Sequence, residues 1–213
     1  MMACHDAGKQ ENSSTALYFD YSITATENEN AVCMLRYRSG ERYGKTVLLD
    51  EPSKVELDGQ VLKADSASFT GTYYESVQPL QSFIGKHRIV FTAQDKKEYV
   101  EDLECNPFEL ETEMPGEIVK KPFVIRFKNF PKRETQLHLV MIDTSFFSND
   151  VNENVIVKNS ELQITEAMLR QLHSGPISME LTWEQSLPLR EKTKAGGRFW
   201  VSYGLKRDFQ LTN

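Results

Sequence analysis

The chain has 213 residues, of which 39% are hydrophobic and 26% are charged, and its net charge at pH 7 is -6. This composition is typical of a globular protein, with enough length for two domains of about 100 residues each or for one large domain. The acidic balance argues against nucleic-acid binding and against attraction to anionic lipid, because both need a basic surface. No apolar stretch approaches the roughly 20 residues that span a bilayer.

The first half of the chain begins with a polar tether and continues as strands. Residues 1–15 lack large apolar side chains apart from the opening methionines. From Leu17 onward apolar and polar residues alternate with a period of two, which indicates antiparallel strands. Further strands are predicted in AVCMLRY, TVLL, VELDGQVL with its Asp58-Gly59 turn, FTGTYYESV, HRIVFT and EYVEDLEC. About seven short strands over residues 16–106 are typical of a β-sandwich.

The second half, residues 107–213, repeats this organisation. Two prolines, a glycine and several acidic residues mark a boundary near Asn106-Pro107. Strands are then predicted in PFVIRF, QLHLVMI, NVIV, ELQIT, GPISMELTW and GRFWVSYGLKRDFQL. One helix is predicted in ITEAMLRQLHSGP, where Thr165 is the N-cap and Gly175-Pro176 ends the helix. The fold class is therefore all-β, with two tandem antiparallel β-sandwich domains and one short helical crossover in the second.

The two halves have the pattern of a repeat and of a known domain type. Gly85 and Gly175 each precede the penultimate strand of their half, about one sandwich domain apart. The segment LQITEAMLRQLHSGPISMELTW resembles bacterial immunoglobulin-like domains of secreted and surface proteins, and the matching residues are Ile164, Thr165, Leu169, Leu172, Gly175 and Leu181. The layout of the chain, with SKVELDG, TYYES and GGRFWVSYGLKRDF, also resembles two-domain envelope lipoproteins of Bacteroidota-type bacteria. This resemblance implies immunoglobulin-like domains and transfers no active site.

The resemblance gives the opening letters MMAC a meaning. Bacterial lipoprotein signal peptides end in Gly or Ala followed by the cysteine that is acylated, and Ala3 and Cys4 fit those two positions. The charged start and the apolar region of a signal peptide are missing, so this interpretation needs a start upstream of Met1. We therefore predict lipidation of Cys4 and a membrane-anchored location in the bacterial cell envelope, periplasmic or at the cell surface. The alternative is a cytoplasmic protein with a genuine Met1.

The other two cysteines, Cys33 and Cys105, are the candidate pair for a disulfide in an exported protein. Cys33 lies on the apolar side of a strand, and Cys105 ends the last strand of the first half. Two free thiols, one of them a small core residue, are the favoured alternative.

A metal candidate is the stretch DVNENVIVKNSE. Its oxygen-bearing residues fill four positions of an EF-hand loop, and one aspartate just before it adds a donor; the candidates are Asp143, Asp150, Asn152, Asn154 and Glu161. The position that needs glycine for the sharp turn is Val155, and the flanks read as strand. A solvated loop between strands is therefore favoured, and neither a metal nor a cofactor is expected.

Catalytic motifs are missing from the sequence. It contains no H-E-x-x-H, G-x-S-x-G, P-loop or C-x-x-C, and its four histidines are scattered. We therefore predict a non-catalytic binding or structural module of the cell envelope. The alternatives are a carbohydrate-binding accessory protein and, third, a hydrolase-type enzyme whose site is assembled in space.

Candidate interaction residues come from the aromatics and from the long segment EQSLPLREKTKAGG. They are Tyr73, Tyr74, Leu187, Leu189, Arg190, Lys192, Lys194 and Trp200. One of two adjacent tyrosines on a strand must face outward, and Trp200 alternates out of phase with its apolar neighbours. The basic tip and apolar base of the segment predict capture of an envelope protein or a glycan. Alternatively, the leucines fold back over a sheet edge or the inter-domain junction, and Trp200 packs between domains.

Overall fold

The computed structural model describes residues 16–67, 71–130, 134–144 and 150–213, so Cys4 and the predicted tether lie outside the described residues. The first unit contains β1 (Leu17–Thr26), β2 (Asn30–Ser39), β3 (Lys54–Leu57), β4 (Gln60–Val61), β5 (Ala64–Ala67), β6 (Gly71–Pro79), α1 (Leu80–Phe83), β7 (Gly85–Thr92) and β8 (Glu98–Cys105). The second unit contains β9 (Glu109–Leu110), β10 (Glu117–Val119), β11 (Phe123–Lys128), β12 (Thr135–Asp143), β13 (Val151–Val157), β14 (Glu161–Ile164), α2 (Glu166–Gln171), β15 (Gly175–Leu187) and β16 (Gly197–Thr212).

Each unit is a sandwich with immunoglobulin-like strand order. The first unit has sheets β1-β2-β6-β5 and β4-β3-β7-β8, and the second has β9-β11-β14 and β13-β12-β15-β16, with β10 parallel to the end of β16. In immunoglobulin domains the first, second and fifth strand positions form one sheet, and the third, sixth and seventh form the other. In the first unit these positions are β1, β2 and β6 in one sheet and β3, β7 and β8 in the other. In the second unit they are β9, β11 and β14 in one sheet and β12, β15 and β16 in the other. The prediction of two tandem immunoglobulin-like sandwiches is confirmed.

The core of each unit follows the predicted alternation. In the first unit Phe19, Tyr37 and Phe91 are fully buried, and their rings contact one another. In the second unit the ring of Phe108 packs against Phe127 and Tyr203 at 5.5 and 5.0 Å between centroids. Such ring contacts add to the free energy gained by burying the aromatic surface.

The repeat predicted from the glycines is visible at the same place in both units, just before the sixth strand position. A short helix comes first, α1 or α2, and a glycine then starts the sixth strand position with a positive φ, 122° at Gly85 and 145° at Gly175. Glycine is the residue that adopts such angles at little cost. Helix α2 begins as predicted, with the Thr165 hydroxyl accepting a hydrogen bond from the Met168 amide at 3.3 Å. Helix α1 was not predicted, because four residues are too few to show helical periodicity.

One predicted strand, TVLL at 46–49, is wrong. Thr46 forms an isolated bridge with Arg38, and the segment then continues as a loop. The Leu49 amide donates to the Tyr74 hydroxyl at 2.8 Å, so a side chain takes the place of a neighbouring strand. A short apolar run does not by itself distinguish a strand from a loop that covers a core.

The two units share one sheet. Strand β16 pairs with β15 along its length, and its first half also pairs in parallel with β1, from Phe19 opposite Gly197 to Thr26 opposite Gly204. The result is a nine-stranded sheet that runs through both units. Strand β12 pairs with β15 only as far as Thr182, so residues 183–203 form a hairpin arm that reaches over the first unit. The domain boundary near Asn106-Pro107 stays a prediction.

Candidate interaction surface

The hairpin arm covers the edge of β1, which would otherwise expose unpaired backbone groups. A glycine is required where the arm first meets β1, because a Cβ at Gly197 would lie 2.8 Å from the Phe19 carbonyl oxygen and 2.3 Å from a methyl of Leu189. Farther along β16, Arg207 forms ion pairs with Glu27 of the first unit and with Glu113. The arm is therefore held to the first unit at both ends of the shared pairing.

The tip of the arm, residues 188–196, folds back on the first unit. Leu189 is 5% exposed, and the Arg190 amide donates to the Glu101 carboxylate at 2.7 Å. The Arg190 guanidinium also pairs with Asp102 at 2.7 Å, and the Val100 amide donates to Glu191 at 2.8 Å. Burial raises the pKa of Glu101, although the hydrogen bonds that its carboxylate accepts from the backbone amides of Arg190 and Glu191 oppose this effect.

These contacts correct part of the expected interaction surface. Leu189 is a core residue and Leu187 is half-buried against the core, which agrees with the alternative in which both leucines fold back on the junction. Arg190 is engaged in the intramolecular contacts, whereas Lys192 and Lys194 are exposed. The loop therefore serves as a clamp between the units, and of its basic residues Lys192 and Lys194 remain open to a partner.

On the outward side of the shared sheet, an aspartate joins the two units. Asp20 of β1 points away from the apolar core but is 3% exposed. Its oxygens accept hydrogen bonds from Arg198 of β16 at 2.5 Å and from Arg38 of β2 at 2.8 Å. Burial alone would raise the pKa of Asp20, but the hydrogen bonds from the two arginines hold it below its usual value. One carboxylate thus pairs with two guanidinium groups, which leaves this trio of side chains with one net positive charge.

A third arginine on this face has no counter-ion. Arg36 lies directly opposite Asp20 in the β1–β2 pairing, yet both Asp20 oxygens are occupied by Arg38 and Arg198. The buried Nε atom of Arg36 has no hydrogen-bond partner, and the side chain forms no ion pair within the part of the chain that the structure describes. The residue remains partly exposed. An unsatisfied donor of this kind is uncommon and calls for an explanation.

Aromatic side chains surround these arginines. Trp200 lies opposite Ser22 and is half-buried, and Tyr73 on β6 shares the outward side of the same sheet. Tyr43, in the turn after β2, is 83% exposed. Tyr43 and Tyr18 both lie close enough to Arg198 to raise its pKa, although the hydrogen bond to Asp20 raises that pKa most. We define the junction face as Tyr18, Asp20, Met34, Arg36, Arg38, Tyr43, Asp65, Tyr73, Glu75, Arg198 and Trp200. The sequence-predicted residues Trp200 and Tyr73 both belong to it, whereas Tyr74 is a core residue.

The predicted metal ligands do not come together. Asn152 is bonded to His138 at 2.8 Å, and Glu161 to Arg126 at 2.8 Å. Asp143 is buried and accepts from the His173 amide, whereas Asp150 and Asn154 are exposed. Over the described ranges, no group of three or more His, Cys, Asp or Glu is placed to hold a metal ion.

The candidate disulfide is absent from the structure, where Cys33 and Cys105 are both free thiols. Burial raises the pKa of the Cys33 thiol to about 12 and also raises that of Cys105. Both therefore stay protonated near neutral pH, which is the less nucleophilic form.

The arrangement nearest to a catalytic one is a histidine–aspartate pair. His87 Nδ1 lies 2.7 Å from Asp58, and its Nε2 lies 2.7 Å from the Phe83 carbonyl oxygen. The adjoining cavity of about 510 Å³ is lined by charged residues and one leucine: Asp58, Lys86, His87, Arg88, Asp102, Leu103 and Glu104. Both ring nitrogens are occupied by acceptors and this lining offers no hydroxyl or thiol nucleophile, so the pair has the features of a structural contact.

Comparisons with known proteins give no family. No protein-family model matches the chain, and neither does any curated protein. Similar solved structures include a titin fragment (12% identity, 93% of this chain and 96% of that one, TM-score 0.25) and DIP-gamma IG1+IG2 (9%, 92% and 95%, TM-score 0.25). A third is a tetra-tandem repeat from the extending region of a large adhesion protein (13%, 91% and 49%, TM-score 0.27). Scores this low carry no argument, and the fold assignment rests on the strand order above.

Proposed function

We propose that this protein is a non-catalytic binding module of the bacterial cell envelope, and that it presents the junction face to its partner. The carrying observation is the arginine- and aromatic-rich face, to which the first unit contributes most residues and the second unit contributes Arg198 and Trp200. Arginine, tryptophan, tyrosine and methionine are the residue types enriched at recognition surfaces, and lysine and carboxylates are depleted there.

The arm supports this proposal by making the two units one body. Arg198 and Trp200 come from the second unit, while Arg36 and Tyr73 come from the first. A binding surface divided between two flexibly linked domains would lose affinity to the entropy of ordering them. The clamp at Leu189 and Glu101 and the ion pairs of Arg207 oppose that loss.

The test uses a photo-crosslinking residue in living cells. Tyr43 is replaced by p-benzoylphenylalanine, which suits a site that is already aromatic and 83% exposed. The matched control places the same residue at Ile142, which is 46% exposed on the outward side of the second unit. We expect adducts from position 43 and few from position 142. Equal labelling at both positions, or none at 43, would contradict the proposal.

The compartment is a separate part of the proposal. We propose that Cys4 carries the lipid anchor, since it follows Ala3 at the end of a lipobox-like sequence and precedes a polar tether. No helix in the described ranges has the length and apolar character needed to cross a membrane. Expression from the native upstream start should place the protein in the membrane fraction, and Cys4→Ser should release it. Equal solubility of the parent and Cys4→Ser would contradict the proposed lipid anchor.

A further inference from the structure

We propose that the junction face binds an acidic polysaccharide, with the carboxylate of a uronic acid pairing with Arg36. The inference rests on the proposed function and names the class of ligand for the same surface. It draws on two independent features: an arginine without an ion pair, and separated rings on a surface that crosses the unit boundary.

The unmatched charge defines what the ligand must carry. Three arginines, Arg36, Arg38 and Arg198, lie around the carboxylate of Asp20, and both of its oxygens already accept hydrogen bonds from the latter two. Glu75 on β6 and Asp65 on β5 lie on the same face and, like Arg36, are close enough to Tyr73 to affect its pKa, but neither forms an ion pair with Arg36 among the described residues. Arg36 therefore lacks a partner, although the whole chain has a net charge of -6. An arginine in this state favours a carboxylate, which its planar donors bind in a bidentate manner.

The spacing of the rings defines the form of the ligand. Trp200 on β16 and Tyr73 on β6 are three strand spacings apart and two residues out of register, because the residue in line with Trp200 is Glu75, so the separation is about 16 Å. Among the described residues, no ring contact joins Tyr43, Tyr73 and Trp200 to one another. A protein interface core is instead a contiguous apolar patch with a polar rim. Separate rings, with Arg36 on a strand that lies between those of Trp200 and Tyr73, match a polymer that repeats a ring and a charge.

The chemistry of a uronic acid fits both elements. The apolar C–H face of a pyranose ring packs on an aromatic side chain, and its hydroxyls remain in contact with water or with the tyrosine oxygen. The carboxylate on the same sugar projects from the ring edge, where an arginine beside the ring can reach it. A neutral polysaccharide would leave Arg36 unpaired, and an acidic peptide would leave the separated rings without matching faces.

The experiment measures binding of purified full chain to three defined polymers. Polygalacturonate is the probe, dextran is the neutral control and poly-L-glutamate is the acidic peptide control, each titrated calorimetrically at low salt and again at 0.3 M salt. We expect binding to polygalacturonate alone. Salt should weaken it without abolishing it, because ring stacking is not screened.

Variants locate the site. Arg36→Gln should weaken binding about tenfold, the effect of losing one charge-assisted pair. Its control, Arg170→Gln, removes the same charge from an exposed position on α2 and should leave binding unchanged. Tyr43→Ala provides a variant with no folding risk, since this side chain is 83% exposed, and should also weaken binding several-fold.

Three results would overturn the inference. Equal affinity for poly-L-glutamate would assign the face to acidic peptides, an unchanged Arg36→Gln affinity would move the site elsewhere, and no binding to polygalacturonate would exclude the uronic acid. In the last case crosslinking from position 43 in cells would still support the junction face as a recognition surface. Absence of both polygalacturonate binding and crosslinking from position 43 would instead reject the proposed function itself.

Discussion

The outward side of the nine-stranded sheet has two regions that share strand β16 but differ in chemistry. The junction face carries arginine and aromatic side chains and buries Asp20 between them. The other region, here the distal face, is the outward side of β12, β13 and the parts of β15 and β16 beside them; its exposed residues are Gln136, His138, Ile142, Asn152, Asn154, Ile156, Ser178, Lys206, Asp208 and Gln210. None of these described positions is arginine, tyrosine or tryptophan.

The difference teaches that a sheet surface acquires a specialised composition where two units meet. The distal face belongs to one unit and follows the ordinary rule of polar residues in water with isolated apolar ones between them. The junction face must satisfy the contact between units as well as water, so its charges are arranged in pairs and triads. The spare arginine in that arrangement is what distinguishes a possible binding surface from a structural seam.

The largest expected effect comes from the clamp that creates the junction face. Leu189→Ala should lower the free energy of unfolding by about 3 kcal/mol, because it empties a buried site between the arm and the first unit. Chemical denaturation with guanidinium chloride measures the change. Lys192→Ala, an exposed neighbour on the same loop, is the control and should stay within about 0.5 kcal/mol of the parent. Equal effects of the two substitutions would mean that the arm is not docked in solution.

Asp20→Asn should have the next largest effect. The side chain is 4% exposed and binds two arginines that are themselves partly exposed, so about 2 kcal/mol is expected at pH 7 rather than the larger cost of a wholly buried pair. Asp208→Asn, an exposed aspartate of β16 on the distal face, is the matched control and should change little.

The same variant predicts a dependence on pH. Because the pKa of Asp20 is lowered in the folded state, its contribution is fully present above about pH 4 and is lost as the pH falls through the lowered value. Denaturation curves between pH 2 and 7 should therefore show the parent and Asp20→Asn converging in acid. A constant gap between them over this range would show that the arginine pairs do not contribute.

The sequence predicted the fold better than it predicted the junction. Alternation at Phe19, Tyr21 and Ile23 indicates a strand because burial on one face imposes a period of two, and the strands together define sandwiches. The pairing of Phe19 with Gly197 joins the two ends of the chain in parallel, and no local pattern reports such a contact. The same alternation places Asp20 on the polar side of β1, whereas two distant arginines bury it.

The candidate site was predicted in the same uneven way. Because successive side chains of a strand point to opposite faces, the sequence predicted that Trp200 and one of Tyr73 and Tyr74 face outward. This prediction needs no tertiary information. Arg36 gave no signal, because its distinction is the absence of a partner in space. The burial of Leu189 was predicted only as the alternative. An apolar side chain in a loop is removed from water either by packing inward or by binding a partner, and the sequence does not distinguish the two.

Glu101→Gln should have a smaller effect with the opposite pH sign. The pKa of Glu101 is raised by burial, so its protonated form favours the folded state, and stability from this group is lost as the pH rises from about 4 through the raised value. Glutamine keeps an acceptor for the Arg190 amide without the charge. The variant should equal the parent in acid and be more stable at pH 7, as measured by urea denaturation. A loss of stability at pH 7 would mean that the charged hydrogen bond outweighs the burial.

The smallest effect on stability separates the two faces most sharply. Tyr43→Ala on the junction face and Ile142→Ala on the distal face both remove exposed side chains, 83% and 46% exposed, so each should change the free energy of unfolding by no more than about 0.5 kcal/mol. With folding unaffected, any difference in polygalacturonate binding reports recognition alone. Tyr43→Ala should weaken binding several-fold, because a ring loses contact with the sugar, and Ile142→Ala should leave it unchanged. If both variants bind like the parent, the aromatic composition of the junction face belongs to the contact between the units and not to a ligand.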